Sequence, residues 1–214
     1  MAKPPPISIE FPLRDGTLVV IRPILPSDAD RLRDGFERLS PESRYRRFMS
    51  AVDELSDEQV HFLTHVDYED HMAWVALDPL DPGRRGLGVA RYVRVADEPS
   101  VAEAAVTVVD SHQGRGLGTV LLGVLALSAL RNGIRTFRAF VLEANAPMLA
   151  ILRDLGARAE HDGSSFRVDV PLPTDPEDLP DTPAGRVFRS VAKRLLDPFV
   201  IRPQGGGRGV GRMD

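Results

Sequence analysis

The chain has no cysteine among its 214 residues. Disulfides, thiolate metal sites and a cysteine nucleophile are therefore excluded, and the absence agrees with a reducing cytosol, so a cytoplasmic location is expected. The opening Met1-Ala2-Lys3-Pro4-Pro5-Pro6 has no apolar h-region, which speaks against a secretory signal. The longest apolar stretch, residues 117–130, falls short of the roughly 20 residues that a bilayer requires and reads as a helix buried on most sides. No Gly-x4-Gly-Lys-Ser/Thr string occurs, so a Walker phosphate loop is ruled out. A formal net charge of −4 argues against a chain-wide nucleic-acid footprint. What remains is ordinary in bulk: 43% hydrophobic and 27% charged residues, long enough for one domain with appendages.

Hydrophobic spacing divides the chain. Residues 1–16 read as a Pro-rich lead. Residues 17–24 alternate as a strand, and a helix through Ser40 follows, with Ser27 as its cap and Leu32, Phe36 and Leu39 at helical spacing. Ser40-Pro41 restarts a short helix through Met49, and Ser56-Asp57 begins a third, reaching about Val66. Strands are predicted at 71–77, 87–95 and 101–109, separated by turn residues that include Asp97-Glu98-Pro99; such brief connections favour an antiparallel meander. A helix over 117–132 stops at Gly133, a strand spans 135–142, a helix spans 146–155 and stops at Gly156, and a strand pair surrounds Asp162-Gly163. The core domain is thus placed at 17–171. Residues 172–185 form a Pro/Asp-rich linker, and 186–214 hold a basic amphipathic helix followed by a Gly/Arg-rich tail. The tail and helix offer a basic surface, for which packing on the core or on a second copy in a homodimer is the preferred reading over membrane or nucleic acid.

The sharpest feature is Gln113-Gly114-Arg115-Gly116-Leu117-Gly118-Thr119, a glycine-rich turn between an apolar strand and an apolar helix. Glycines allow close backbone approach to an anion, and the first turn of the helix adds unsatisfied N–H donors and the positive end of its dipole. A phosphorylated small molecule is the expected ligand. A dinucleotide turn, Gly-x-Gly-x-x-Gly, fits at Gly114 and Gly116 but meets Thr119 at its third glycine, with Glu143 as its ribose-binding acid. Gln/Arg-x-x-Gly-x-Gly/Ala is matched in full by Gln113, Gly116 and Gly118.

That second pattern resembles the pyrophosphate loop of the GNAT superfamily of N-acetyltransferases. Element order over residues 17–171 is similar to that family, as is Leu142-Glu143-Ala144-Asn145-Ala146-Pro147-Met148 followed by a helix ending at Gly156. Leu13-Arg14-Asp15-Gly16, Ile21-Arg22-Pro23-Ile24 and Leu39-Ser40-Pro41-Glu42-Ser43-Arg44-Tyr45-Arg46-Arg47-Phe48 resemble the acetyltransferase domain of Pat-type bacterial protein lysine acetyltransferases. The resemblance implies an α/β fold of the mixed α+β kind. Its mostly antiparallel central sheet would be splayed between the fourth and fifth predicted strands, with helices on both faces. It implies acetyl-CoA as co-substrate, no metal, and a protein lysine as acceptor, with a small amine next. A sensor that holds acyl-CoA without turnover and a dinucleotide oxidoreductase are the rivals.

By the same resemblance Glu103 is the general base, Val106, Thr107 and Val108 offer the thioester oxygen a backbone N–H and pair with the pantetheine arm, Gln113 to Thr119 wrap the pyrophosphate, and Asn145 reaches the coenzyme from across the splay. Glu103 sits among Val101, Ala102, Ala104, Ala105 and Val106, and burial there would raise its pKa toward roughly 6–7; strand alternation alone would point it at solvent. Asn145 is also placed to cap the next helix. Many relatives carry a tyrosine where this chain has Leu152, which leaves the acid for the leaving thiolate unassigned. His61 and His65 stand four apart but lack a third ligand, His112 reads as a turn-surface residue, and Arg44, Arg46 and Arg47 as a solvated helix face. Trp74, Phe48 and Phe62 read as core.

Overall fold

The structure is a computed structural model that describes residues 7–196. The Gly/Arg-rich tail, 204–214, lies outside the described residues.

The strands are β1 (Ile9–Pro12), β2 (Leu18–Pro23), β3 (His71–Leu77), β4 (Gly86–Val95), β5 (Glu98–Val108), β6 (Thr136–Leu142), β7 (Arg158–Asp162) and β8 (Ser165–Pro171); the helices are α1 (Ala29–Glu37), α2 (Pro41–Phe48), α3 (Asp57–Thr64), α4 (Leu117–Arg131), α5 (Ala146–Asp154) and α6 (Pro183–Leu196). The strands form one sheet in the order β1-β2-β3-β4-β5-β6-β8-β7. Every neighbouring pair is antiparallel except β5 and β6. This is the mixed, mostly antiparallel sheet that the resemblance implied, and it differs from the all-parallel doubly wound sheet of dinucleotide enzymes.

Strand alternation sorts the two faces. Ala102, Ala104, Val106 and Val108 of β5 pack into the large core with Leu117, Leu121 and Leu125 of α4. The helix α6 adds Phe188 and Val191 to that core, and both lie against α4, 3.4 and 3.5 Å from where a Cβ on Gly123 would stand. A Cβ there would meet both in ordinary van der Waals contact, so α4 and α6 pack closely at Gly123. On the opposite face, Phe36, Leu39, Leu55, Val60 and Leu63 of the α1–α3 region form a second, smaller core.

Three local expectations change. Residues 9–12, within the stretch read as a lead, form β1, and Ile9 and Phe11 are buried in the main core. Proline crowding had masked the alternation of Ile9 and Phe11. Ser27 is exposed and does not cap α1; the N-cap is Asp28. Asp28 is buried instead by Arg22, whose two terminal nitrogens lie 2.7 and 2.6 Å from its oxygens, and by Arg31 at 3.0 Å. Burial opposes ionisation of Asp28, but these partners outweigh it and hold its pKa below the usual value. The turn expected at Asp97-Glu98-Pro99 is tighter, because β5 already begins at Glu98.

The other caps fall where the sequence put them. Ser40 accepts the N–H of Ser43 at the start of α2, and Ser56 and Gln59 form a reciprocal capping box on α3. Among the described residues no helix is long and apolar enough to cross a membrane.

Candidate functional site

The parallel ladder between β5 and β6 is short. It pairs Val101, Ala102 and Glu103 with Thr136, Phe137 and Arg138 and goes no further. Beyond Glu103 the strands part: β5 continues along β4 to Val108, and β6 continues along β8 to Leu142. From Ala104 to Val108 one edge of β5 is therefore bonded to β4 while the other has no strand partner among the described residues. Alternate backbone N–H and C=O groups on that edge face open space.

That space is a cleft of about 430 Å³ whose lining includes Ala104–Val108, residues 112–114 and 116–119, Ala139–Val141 and Asn145. The glycine turn closes its upper end. Gly114 and Gly116 have φ of +73° and +89°, a conformation that side-chain-bearing residues adopt at a cost. The first intrahelical bond of α4 runs from Val120 N–H to the carbonyl of Gly116. Among the described residues the N–H groups of Gly114, Arg115 and Gly116 make no hydrogen bond, and those of Leu117, Gly118 and Thr119 precede that first bond. Six consecutive donors are left at the positive end of a 15-residue helix, the arrangement that favours an anion. Leu117 and Thr119 bury their side chains, so only their backbone is offered. Arg115 points away from the turn's mouth to pair with Asp15 at 3.2 Å.

Electrostatics reinforce the anion preference. Among the described residues the ionisable groups lining the cleft are Arg14, Arg46, Arg47 and His112, without a carboxylate, although the chain as a whole is acidic. Arg46 is neutralised by Glu42 at 2.6 Å. Burial, and then Arg115, lowers the pKa of His112, so its ring is neutral near pH 7. Arg14 and Arg47 have no carboxylate partner among the described residues. Arg14 lies 3.3 Å from where a Cβ on Gly116 would stand, which brings a cation to the phosphate turn.

Arg115 aside, which pairs with Asp15 and does not line the cleft, the residues singled out from the sequence divide into those brought together and one set apart. Val106, Thr107, Val108, Gln113, Gly114, Gly116, Leu117, Gly118, Thr119 and Asn145 all line the cleft. Gln113 spends its side-chain amide on structure, donating to Val108 carbonyl and Ser43 hydroxyl, each at 3.1 Å. Asn145 caps α5 by accepting the N–H of Met148 at 3.4 Å, so capping and lining coexist. Leu152, where many relatives have tyrosine, is buried in the cleft wall and offers no proton.

Glu103 is the residue set apart. The burial expected from its apolar neighbours is not there: the side chain is exposed, because Ala102 and Ala104 point to the α4 face and Glu103 to the other. It makes no hydrogen bond or ion pair among the described residues. Its cross-strand neighbours are Val93 and Arg138, and the Arg138 guanidinium is taken by Glu98 at 2.6 Å and Asp169 at 3.0 Å. Glu103 is thus a free carboxylate on the last rung before the strands part.

Three further features were not read from the sequence. Arg14, Arg91 and Asp110 carried no recognisable signal, apart from the place of Arg14 in the Leu13-Arg14-Asp15-Gly16 string. Arg44, by contrast, is structural: it donates to the carbonyls of Leu39, Asp53 and Glu37 and covers the Phe36 ring at 4.5 Å. His61 and His65 stack on each other, ring centres 3.7 Å apart. Trp74 and Phe48 pack into the two cores as read, whereas Phe62 is exposed against His71.

Comparison with known proteins bears on this geometry. Residues 19–158 match the family model described as an acetyltransferase (GNAT) domain. Acetyltransferase Pat of Mycolicibacterium smegmatis is 38% identical over 183 residues, 80% of this chain and 52% of that protein. The chain therefore spans about half the length of that relative. Acetyltransferase PA5475 of Pseudomonas aeruginosa is 37% identical over 150 residues, 70% of this chain and 80% of the other. The crystal structure of the GNAT domain of S. lividans PAT superposes with a TM-score of 0.71 at 35% identity, covering 77% of this chain and 97% of that one.

Proposed function

The chain belongs to the GNAT acetyltransferases, and from that premise we propose that it transfers an acetyl group from acetyl-CoA to the amine of a protein lysine in the cleft between β5 and β6. One observation carries the reading. The unpaired edge of β5 and the six free N–H groups of the glycine turn open into the same carboxylate-free cleft. An extended thioester arm with amide groups suits the first, and a pyrophosphate suits the second.

In this reading the N–H groups from Gly114 to Thr119 hold the pyrophosphate, with Arg14 adding charge, and the open edge of β5 pairs with the pantetheine amides. A backbone N–H within Val106–Val108 holds the thioester oxygen as negative charge develops on it. Asn145 bounds the coenzyme from the α5 side. Glu103 takes a proton from the lysine ammonium through a water, since its exposed carboxylate lies off the cleft rather than in it. The amine nitrogen then attacks the carbonyl carbon, the C–S bond breaks, and solvent protonates the departing thiolate, because Leu152 cannot. No covalent enzyme intermediate is needed. The lysine acceptor is supported by the similarity to proteins named Pat, and a small amine is the outcome that would revise it.

The test is incubation of the full chain with acetyl-CoA and proteins of the host lysate, followed by thiol release and by mass spectrometry of lysines and small amines. Release that depends on protein acceptors, with acetyl on lysine side chains, supports the proposal; release with small amines alone reassigns the acceptor, and no release with any acceptor overturns it.

A further inference from the structure

A second cavity, of about 80 Å³, lies between the α1–α3 cluster and the face of β4 and β5 that carries Glu103. Its walls are mostly apolar, with Phe36, Leu39, Phe48, Leu55 and Leu63 prominent. Three arginines interrupt them: Arg31 is paired with Asp28, and the other two are Arg47 and Arg91. Arg91 is only 6% exposed; it donates to Leu63 carbonyl at 2.9 Å and meets His71 Nε2 at 3.0 Å, and its Nε bonds nothing among the described residues. Arg47 makes no hydrogen bond or ion pair among the described residues and only stacks on the Phe48 ring at 5.1 Å.

Among the described residues neither Arg47 nor Arg91 has a counter-ion. His71 is held neutral near pH 7, its pKa pushed down to about 4 by burial and by Arg91, so it adds no further positive charge and, as an imidazole, supplies no counter-ion. Burial, and then repulsion from Arg47, lowers Arg91 to about 9, which still leaves it protonated. The one acid in the wall, Asp28, is already taken by Arg22 and Arg31. A buried cation facing apolar walls is expensive unless an anion joins it. Arg47, Ala105 and Thr107 line this cavity and the transfer cleft alike, so the cavity opens beside the stretch of β5 proposed to hold the thioester.

We infer that the cavity is a carboxylate subsite, taking a short aliphatic arm that ends in a carboxylate between Arg47 and Arg91 while the rest of its ligand occupies the transfer cleft. At about 10–15 Å³ per water-sized sphere, the volume suits an arm of a few heavy atoms. Apolar walls meet its methylenes, and the planar guanidinium groups meet its carboxylate. Two ligands present that chemistry: an acyl donor with a free carboxylate, such as succinyl-CoA, and a short amino-acid acceptor. The donor alternative rests on the coenzyme reading above; the acceptor alternative does not.

Calorimetry on the full chain tests it. One arm compares succinyl-CoA with butyryl-CoA, and acetyl-CoA is titrated beside them. The other compares γ-aminobutyrate with γ-aminobutyramide, with and without acetyl-CoA. In one arm the carboxylate ligand binds about tenfold or more tightly than its neutral counterpart, and the arm in which this occurs identifies the source. The margin collapses in Arg91→Met and in Arg47→Met, while Arg91→Met retains acetyl-CoA binding. Should Arg91→Met not fold, Arg47→Met, on a half-exposed helix position, decides alone. Equal affinity for charged and neutral ligands in both arms, or a preference that survives in the folded variants, overturns the inference. Loss of acetyl-CoA binding in the unmutated chain overturns the coenzyme reading instead, and the amine arm without coenzyme still decides the subsite.

Discussion

The carboxylate of Asp110 accepts both the backbone N–H of Ser40, at 2.9 Å, and its hydroxyl, at 2.8 Å. Ser40 caps α2, and Asp110 stands three residues before Gln113, so one side chain joins the helix that carries Arg46 and Arg47 to the glycine turn. Ser43 closes the loop: its hydroxyl donates to Asp110 at 2.9 Å and accepts from Gln113 at 3.1 Å. The walls of the cleft are thus fixed to each other before any ligand arrives, which lowers the ordering cost of binding.

Asp110→Ala should loosen that link. Three charge-assisted bonds at an exposed site together contribute about 1–3 kcal/mol, and the coenzyme should bind more weakly although Asp110 does not touch it. Burial opposes ionisation of Asp110, but the Ser40 and Ser43 bonds outweigh it and lower its pKa. Its contribution is therefore present above the unfolded value and is lost as pH falls through the folded one. Denaturant melts at pH 7 and pH 3 check this: the gap between the parent and Asp110→Ala should shrink at pH 3.

Gly116→Ala forces a side-chain-bearing residue to φ near +89° and sets its Cβ 3.3 Å from Arg14 Nε. Backbone strain of about 1–2 kcal/mol is expected. Gly114 has φ of +73° but open space around a Cβ, so Gly114→Ala meets strain alone. Calorimetric coenzyme affinity should fall further in Gly116→Ala than in Gly114→Ala; equal losses would mean that Arg14 does not contribute at the turn.

His71 gives the chain a pH signature of its own. Burial first and Arg91 second hold its pKa near 4 against the opposing pull of Asp67, whereas the unfolded side chain titrates near 6.5. The unfolded state therefore takes up a proton that the folded state refuses. Stability falls as pH drops from 6.5 toward 4, by up to about 3 kcal/mol. In urea melts between pH 6.5 and 5, His71→Gln should flatten this slope while keeping a polar partner for Arg91.

Glu103→Gln should lower kcat by about 10²–10⁴-fold and leave the KM for acetyl-CoA nearly unchanged, because the residue lies beyond the cleft that holds the coenzyme. Steady-state thiol release with a saturating protein acceptor reads it. A change confined to the coenzyme KM would place Glu103 in binding and remove it from proton transfer.

Much of this architecture is legible in the chain. Serine caps at Ser40 and Ser56, terminating glycines at Gly133 and Gly156, and the apolar runs of β3 and β4 between turn residues gave boundaries within a residue or two, because each rests on local hydrogen bonding, backbone conformation or turn chemistry. The glycine turn was legible for the same reason. What was missed depends on distant partners. Asp28 displaces Ser27 at α1 because Arg22 and Arg31 converge on it, and β1 is a strand because β2 and the main core accept Ile9 and Phe11. Glu103 was misread toward burial because its neighbours in sequence are apolar, yet the two beside it face the opposite side of the sheet. Arg91 gave no sign that it would be buried without a counter-ion.

The most direct measurement is titration of acetyl-CoA into the full chain by calorimetry, with the Gly116→Ala variant beside it. One saturable site is expected in the parent chain, with a clear loss of affinity in the variant. No binding of acetyl-CoA, or binding that is indifferent to Gly116, would contradict that expectation.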